Sequence, residues 1–406
     1  MSRRCVVAAT LSDALETARA LGVTVVRSHS VGYSTGGRYA FEPKLGVFNH
    51  SALDSADWAI AEAERLGMRL VLPLTTSPPR DLKQPCHYLG CMKDFTKWVG
   101  TEPYNFYNNS DVVKAFHQFV EARLEHVNAY TGRRAGDEPS IMVWESGNEL
   151  RGPPASWTAE LGRLIKRLAP RALFMDGNYG VEDASLAVAE VDLVSNHFYP
   201  PNALGMRKDA ARAVAAGKVY VAGEYGWDQR PGCTRQLLFE VERNGDIAGS
   251  LFWSLFPHAD DHGFVQHGDN FTYHYPGDDA AMRLFGYEAE AHNRRLSGVP
   301  AGPAKPPPLA PEVTLANVTH VAWRGAAAAE AYALEASSSE RGPWTALLEN
   351  LSDNDAPVAL PATALGGDAS FVRVTAYGRG DVVGASSGAV PTRAAVTRTA
   401  PRRIGM

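Results

Sequence analysis

Two glutamates each stand just beyond a short apolar run. One run reads Ile141-Met142-Val143-Trp144-Glu145-Ser146-Gly147-Asn148-Glu149, the other Val219-Tyr220-Val221-Ala222-Gly223-Glu224-Tyr225-Gly226. Both runs are too short for helices and read as buried parallel strands. Two carboxyl groups delivered from two strand ends can cleave a glycosidic bond: one protonates the leaving oxygen while the other attacks the sugar carbon. Taken singly, either glutamate could equally be a rim residue held in an ion pair.

Further polar and aromatic residues close strands that have no structural need of them. Arg27 ends the run 23–27, Asn148 precedes Glu149, His197 and Tyr199 follow the run 192–196, and Trp253 ends the run 248–253. Each has an ordinary structural use: a cap, a satisfied buried histidine, a core indole, turn chemistry. Their joint occurrence at successive strand ends points instead to one site. A nucleophilic carboxylate must stay ionised, so a cation and hydrogen-bond donors belong beside it, and Arg27 and the Tyr199 hydroxyl can supply both to Glu224. The proton-donating carboxyl group needs a raised pKa. Asn148 can hold a sugar hydroxyl and Trp253 offers a flat face for a pyranose ring.

These residues need a frame. From residue 13 to 297 amphipathic helices alternate with apolar strands, with strands expected at 23–27, 69–74, 141–145, 172–175, 192–196, 219–223 and 248–253. Such alternation implies a parallel sheet with helical crossovers. Its length fits a (β/α)₈ TIM barrel, whose active site lies at the C-terminal ends of the strands. No Gly-rich dinucleotide loop follows the first strand. One strand is missing: the first clear element is a helix, so either residues 5–9 form a short first strand or this chain starts after it.

The ordered set Arg27, Asn148-Glu149, His197-x-Tyr199, Glu224 and Trp253 resembles glycoside hydrolase family five. The segments Phe106-Tyr107-Asn108-Asn109 and Val127-Asn128-Ala129-Tyr130-Thr131-Gly132 resemble its endo-β-1,4-mannanase branch. The resemblance implies a retaining glycosidase with Glu149 as acid/base and Glu224 as nucleophile. Arg27, Asn148, His197, Tyr199 and Trp253 then take supporting and sugar-binding roles, and Glu145 a non-catalytic one. It also implies an extracellular enzyme that needs no cofactor. The chain departs from the family pattern at Leu150, where proline is frequent, and at Thr75 and Thr76, where a histidine often stands. Trp98 and the polar loop 257–269, with His258, are expected to contact sugar; that loop is read as sugar-binding in preference to a metal site. The rival readings are a β-1,4-glucanase, an exo-β-mannosidase, and an inactive carbohydrate-binding protein.

Beyond the barrel, assigned to residues 1–298, six prolines in residues 299–311 mark a linker. Residues 312–392 show short alternating strands, expected to form a small β-sandwich that resembles the fibronectin type III class and acts as a spacer. Residues 393–406 read as a disordered tail. Hydrophobic content of 45% supports a large core, and a net charge of −5 argues against nucleic-acid binding. Apolar runs are strand-length, so no membrane span is expected, and the N-terminal apolar stretch is short for a signal peptide. The resemblance implies a poly- or oligosaccharide partner, and the protein is expected to be a monomer. Of four cysteines, Cys86 and Cys91 share one loop and can form a local disulfide.

Overall fold

The computed structural model describes residues 3–227, 230–298, 307–360, 371–380 and 382–392, with side chains from Thr10 onward. The linker residues 299–306 and the tail from residue 393 lie outside the described residues. The chain divides into two compact units: residues 24–252, and the N-terminal segment 1–23 together with the residues from Trp253 onward.

The first unit is a nearly closed parallel barrel. Its strands are β1 (Val25–Arg27), β2 (Arg69–Pro73), β3 (Ile141–Glu145), β4 (Leu173–Met175), β5 (Leu193–Phe198), β6 (Val219–Gly226) and β7 (Ile247–Trp253), hydrogen-bonded in that order. No pairing of β7 with β1 occurs among the described residues. The central strands β2 to β6 are largely buried, whereas β1 and most of β7, at the two ends of the strand order, are half-buried. Val71, Val143, Met175 and Leu193 form one shared cluster, with Val25 and Val221 packed against it. The crossovers carry α2 (His29–Gly32), α3 (Asp54–Arg65), α4 (Met92–Val99), α5 (Ser110–Glu125), α6 (Ala155–Leu168), α7 (Asp183–Leu186), α8 (Ala203–Ala215) and α9 (Pro231–Arg243). Helix α5 begins where Asn109 accepts from the backbone N–H groups of Asp111 and Val112, at 3.0 and 3.2 Å.

Residues 5–9 are not a strand. They lie inside helix α1 (Arg3–Ala20). The segment is rich in alanine, and no glycine or proline interrupts it before Gly22, so the helical pattern of residues 13–21 extends backward unopposed.

The second unit holds α1, the loop after β7, α10 (Ala280–Leu296) and two antiparallel sheets. One sheet orders β11 (Thr345–Leu351), β10 (Ala331–Ser337), β13 (Phe371–Gly378) and β14 (Val382–Ser386), with β15 (Val390–Pro391) beside β13. The other orders β12 (Val358–Ala359), β9 (His320–Arg324) and β8 (Glu312–Ala316). Both sheets contribute to one core, where Val321 and Trp323 meet Leu334, Val372 and Val374. The result is a small sandwich.

This sandwich is bonded into the segment after β7. Tyr275 donates to Glu330 at 2.8 Å, and Asn354 donates to Asp278 at 2.9 Å. The Arg379 guanidinium lies 3.7 Å over the Tyr287 ring. His258, expected among the sugar contacts, is only 3% exposed. Its Nδ1 is 2.9 Å from Asp13 and its Nε2 is 3.3 Å from Asp353, while Phe264 stacks on its ring. The polar loop thus spends this histidine on fixing itself between α1 and the sandwich. Burial would lower the His258 pKa, but Asp13 and Asp353 outweigh it and push it up to about 10.

A group whose pKa is raised on folding stabilises fully below its unfolded value, and the gain disappears as pH climbs through the folded one. The charged His258 should therefore support this unit fully below pH 6.5 and cease to do so towards pH 10. Asp353→Asn should cost about 3 kcal/mol at neutral pH, because it leaves a buried cation half paired. It should also flatten the loss of stability between pH 7 and 10. Urea unfolding at several pH values measures both.

Candidate active site

The site is assembled by register. His197 and Glu224 are direct partners across β5 and β6, next to a bulge at Asn196–His197 that re-aims the strand end. Thr76 and Asn148 pair just past β2 and β3, and Leu150 pairs with Asn178 past β4. Close approach at this rim depends on Gly177, where a Cβ would lie 1.5 Å from the Gly147 carbonyl oxygen. Glu149 has φ +53°, in the left-handed region that costs a glutamate about 1 kcal/mol. Its neighbours hold it there: Leu150 N donates to Gly177 O at 2.7 Å, and Ser77 Oγ to Glu149 O at 2.6 Å.

Arg27 organises the centre. Its side chain is 4% exposed. Nε and Nη2 grip both oxygens of Glu145 at 2.8 and 2.9 Å, Nη2 also donates to Asn148 Oδ1 at 2.8 Å, and Nη1 donates to Glu224 Oε1 at 2.6 Å. Burial would lower Arg27, but Glu145 and Glu224 outweigh it and hold the guanidinium charged. Tyr199 donates to the other Glu224 oxygen at 2.8 Å. Burial and then the Glu224 charge push the Tyr199 hydroxyl far up, so it stays a neutral donor.

His197 Nδ1 lies between the two glutamates, 3.0 Å from Glu149 Oε1 and 3.4 Å from Glu224 Oε2. One carboxylate oxygen of each glutamate and this nitrogen all fall within 4.8 Å of one another. The trio has the donor types of a metal site. However, Arg27 places a permanent cation 2.6 Å from Glu224, where it would oppose a divalent ion.

Burial by itself would raise Glu224, but His197, Arg27, His29 and the Tyr199 hydroxyl together bring it below the usual carboxylate range. That suits a nucleophile. Burial raises Glu149 as well, yet the hydrogen bond and charge of His197, with Arg27 and Arg151, leave it net lowered. The expected raised pKa is therefore absent from the open site.

Six of the expected residues are brought together: Arg27, Asn148, Glu149, His197, Tyr199 and Glu224. Trp253 is half-buried, and its indole N–H donates to Asp269 at 2.5 Å. His267 meets its ring edge-on. Trp98 sits on α4, edge-on to Phe95, and no described contact joins it to the glutamates. His258 is committed elsewhere, as above.

Three groups escaped sequence reasoning. His29, two residues past Arg27, accepts from Arg27 Nη1 at 3.1 Å, with Nε2 3.8 Å from Glu224. Burial first, then the Arg27 charge, lower it to about 3, so it is neutral. Glu145 closes β3 as the anchor of Arg27. Thr76 accepts from the Asn148 amide at 3.2 Å. Position at a strand end was the available signal for all three.

Known proteins resemble this chain in sequence and in fold. The GH family 5 beta-mannosidase-like family model matches residues 7–215. A putative mannan endo-1,4-beta-mannosidase 5 of Oryza sativa subsp. japonica is 26% identical over 315 residues, covering 62% of this chain and 63% of that relative's length. The endo-beta-1,4-mannanase structure from Thermotoga petrophila aligns with a TM-score of 0.60 at 20% identity, covering 95% of each chain. A hyperthermostable endo-1,4-beta-D-mannanase from Thermotoga petrophila RKU-1 aligns at 0.58 and 23%, over 70% of this chain and 95% of that one. These structures share the fold. With more than half of its residues matched by the family model, the chain belongs to the GH family 5 beta-mannosidase-like family.

Proposed function

We propose that the protein is a retaining glycoside hydrolase that cleaves β-1,4-linked mannan or a closely related polysaccharide. The observation that carries this reading is the paired site. Against its burial, Glu224 is held in the carboxylate form by His197, Arg27, His29 and Tyr199, and a Glu149 oxygen lies within 4.8 Å of it. Retention needs carboxyl groups about 5 to 5.5 Å apart, whereas inversion needs room for a water between them. The mannan reading is supported by the beta-mannosidase-like family model and by relatives named as mannan endo-1,4-beta-mannosidases.

In the first step Glu224 forms a bond to the anomeric carbon while Glu149 gives its proton to the leaving oxygen. In the second, Glu149 takes a proton from water, and the oxygen displaces Glu224. No cofactor enters. Glu149 must be protonated for the first step. Its side chain is 29% exposed in the open site, and burial is the strongest influence upon it. A sugar covering that face adds to the burial and moves Glu149 upward.

His197 holds both glutamates down, so His197→Ala should move both limbs of the kcat/KM–pH profile to higher pH. The acid limb follows Glu224 and the alkaline limb Glu149. A profile that keeps its shape and only drops in height would deny His197 this role.

We read residues 1–298 as the catalytic part and 312–392 as a fibronectin type III-like module, on strand pattern and on the two-sheet core. An extracellular location is favoured by the Cys86–Cys91 disulfide, since such bonds persist in oxidising compartments. No described helix is long and apolar enough to cross a membrane. We read the enzyme as a monomer.

A hydrolysis screen on mannan, glucomannan, cellulose and xylan tests the substrate. Mannan and glucomannan should release mannooligosaccharides. Faster release from cellulose or xylan than from mannan would overturn the mannan reading.

A further inference from the structure

The loop between β2 and α4 leaves the active site and returns to the same residue. Thr76, which holds the Asn148 amide, starts it, and Met92 N comes back to donate to Thr76 O at 3.1 Å. Ser77, the first residue out, binds the backbone of both Asn148 and Glu149. The loop is therefore rooted in the backbone of the acid/base itself.

Its far part is built to hold a shape. Cys86 and Cys91 are bonded, closing a ring around His87, Tyr88, Leu89 and Gly90. Leu89 O accepts from Thr35 N at 2.8 Å, and Asp94 accepts from Cys91 N at 3.0 Å and from Thr35 Oγ1 at 2.8 Å. Gly90 has φ +90°, and a Cβ there would meet Thr35 Oγ1 at 2.0 Å. Lys93 Nζ holds the approach through the carbonyls of Leu82 and Gln84. Yet this fixed ring leaves Tyr88 69% exposed, with the His87 ring 4.2 Å from it. The backbone of the ring is fixed while the Tyr88 side chain it carries is left largely exposed.

The ring lies against the segment that follows β1, through the bonds of Thr35 to Leu89 O and Asp94. His87 adds to the field that keeps His29 neutral, after burial and Arg27. Tyr88 adds to that on Tyr33, after burial, a Thr76 hydrogen bond and Arg27. Both His29 and Tyr33 belong to the segment that follows β1, beside Arg27 and Glu224.

We propose that the disulfide-closed segment Cys86–Cys91 is a sugar subsite, in which the Tyr88 ring stacks on a pyranose of the polysaccharide beyond the two units that flank the cleaved bond. Aromatic faces suit this role because a sugar ring presents a flat patch of C–H groups, and a rigid platform loses little entropy on binding. The assignment rests on the glycosidase reading above. It adds a chain-length preference, and makes that preference depend on an oxidised loop.

The test compares wild type, Tyr88→Ala, Tyr88→Phe and the double variant Cys86→Ser/Cys91→Ser on two substrates, mannohexaose and an aryl β-mannoside that reaches no distant subsite. Wild-type cleavage of both is the control for the functional reading, and its failure would strike that reading separately. Tyr88→Ala should raise KM for mannohexaose about fivefold to tenfold. It should leave kcat/KM for the aryl mannoside unchanged, and Tyr88→Phe should restore the lost affinity. The double serine variant should show the same selective rise. An unchanged mannohexaose KM in Tyr88→Ala would overturn the subsite. Equal losses on both substrates in the double serine variant would show instead that the disulfide supports the catalytic centre, and would overturn its part in the proposal.

Discussion

Glu224→Ala and Glu149→Ala should each remove nearly all activity on mannan and leave the fold intact, and they should then respond differently to azide. The loss should be about 10² to 10⁴-fold for the proton donor and on the order of 10⁴-fold or more for the nucleophile. Glu149 is 29% exposed, while Glu224 is 9% exposed and bonded to Arg27 and Tyr199, so its truncation vacates a space lined by polar groups. With an aryl β-mannoside, azide should occupy the place vacated in Glu224→Ala and form the α-mannosyl azide, of inverted configuration. In Glu149→Ala the mannosyl-enzyme still forms, because an aryl leaving group needs little protonation. Azide then attacks from the opposite face and gives the β-mannosyl azide. Chromatography and NMR of the products separate the two. The same azide from both variants would mean that the roles are not divided as assigned.

Arg27 should be nearly as sensitive, for a different reason. It is the only described group bonded to Glu145, Asn148 and Glu224 together. Arg27→Met leaves the Glu145 carboxylate, 1% exposed, without its fork of donors. Removing one partner of such a buried pair costs about 3 to 5 kcal/mol. Activity should fall about 10³-fold, because Glu224 loses its cation and Asn148 its orientation. Arg27→Lys should rescue little, since one ammonium group cannot span three acceptors in fork geometry. The double variant Arg27→Met/Glu145→Gln should regain stability while activity stays low. Urea unfolding and mannan hydrolysis on wild type, Arg27→Met, Glu145→Gln and the double variant measure this, and additive stability losses would contradict the coupling.

What was legible in the sequence follows its physics. The seven strands are readable because each is a short run rich in apolar residues bounded by a helix with its own period. The two glutamates are readable because a charge at the end of such a run needs a reason. Pairing at a distance is not readable: Arg27 and Glu145 are 118 residues apart, and only register brings them within 2.8 Å. The same limit hid His29, whose significance comes from Arg27 and Glu224 together. It also misplaced His258, because a loop dense in Asp and His looks alike whether it faces sugar or locks onto Asp13 and Asp353. The helix over residues 5–9 was missed because an expected barrel strand competed with plain helix propensity, and propensity won. The low position of Glu149 was missed because His197 was assigned to sugar and not to the space between the carboxylates.

That shared space is the centre of the account, because two carboxylates this close admit a glycosyl-enzyme and leave no room for a water between them. The direct measurement is the configuration of the first product. Mannohexaose should be hydrolysed in an NMR tube and the new reducing end followed within the first minutes, before the sugar ring opens and re-closes. Retention predicts that the β-anomer signal appears first and the α-anomer grows only as mutarotation proceeds. The α-anomer appearing first would contradict the double displacement and the roles given to Glu224 and Glu149.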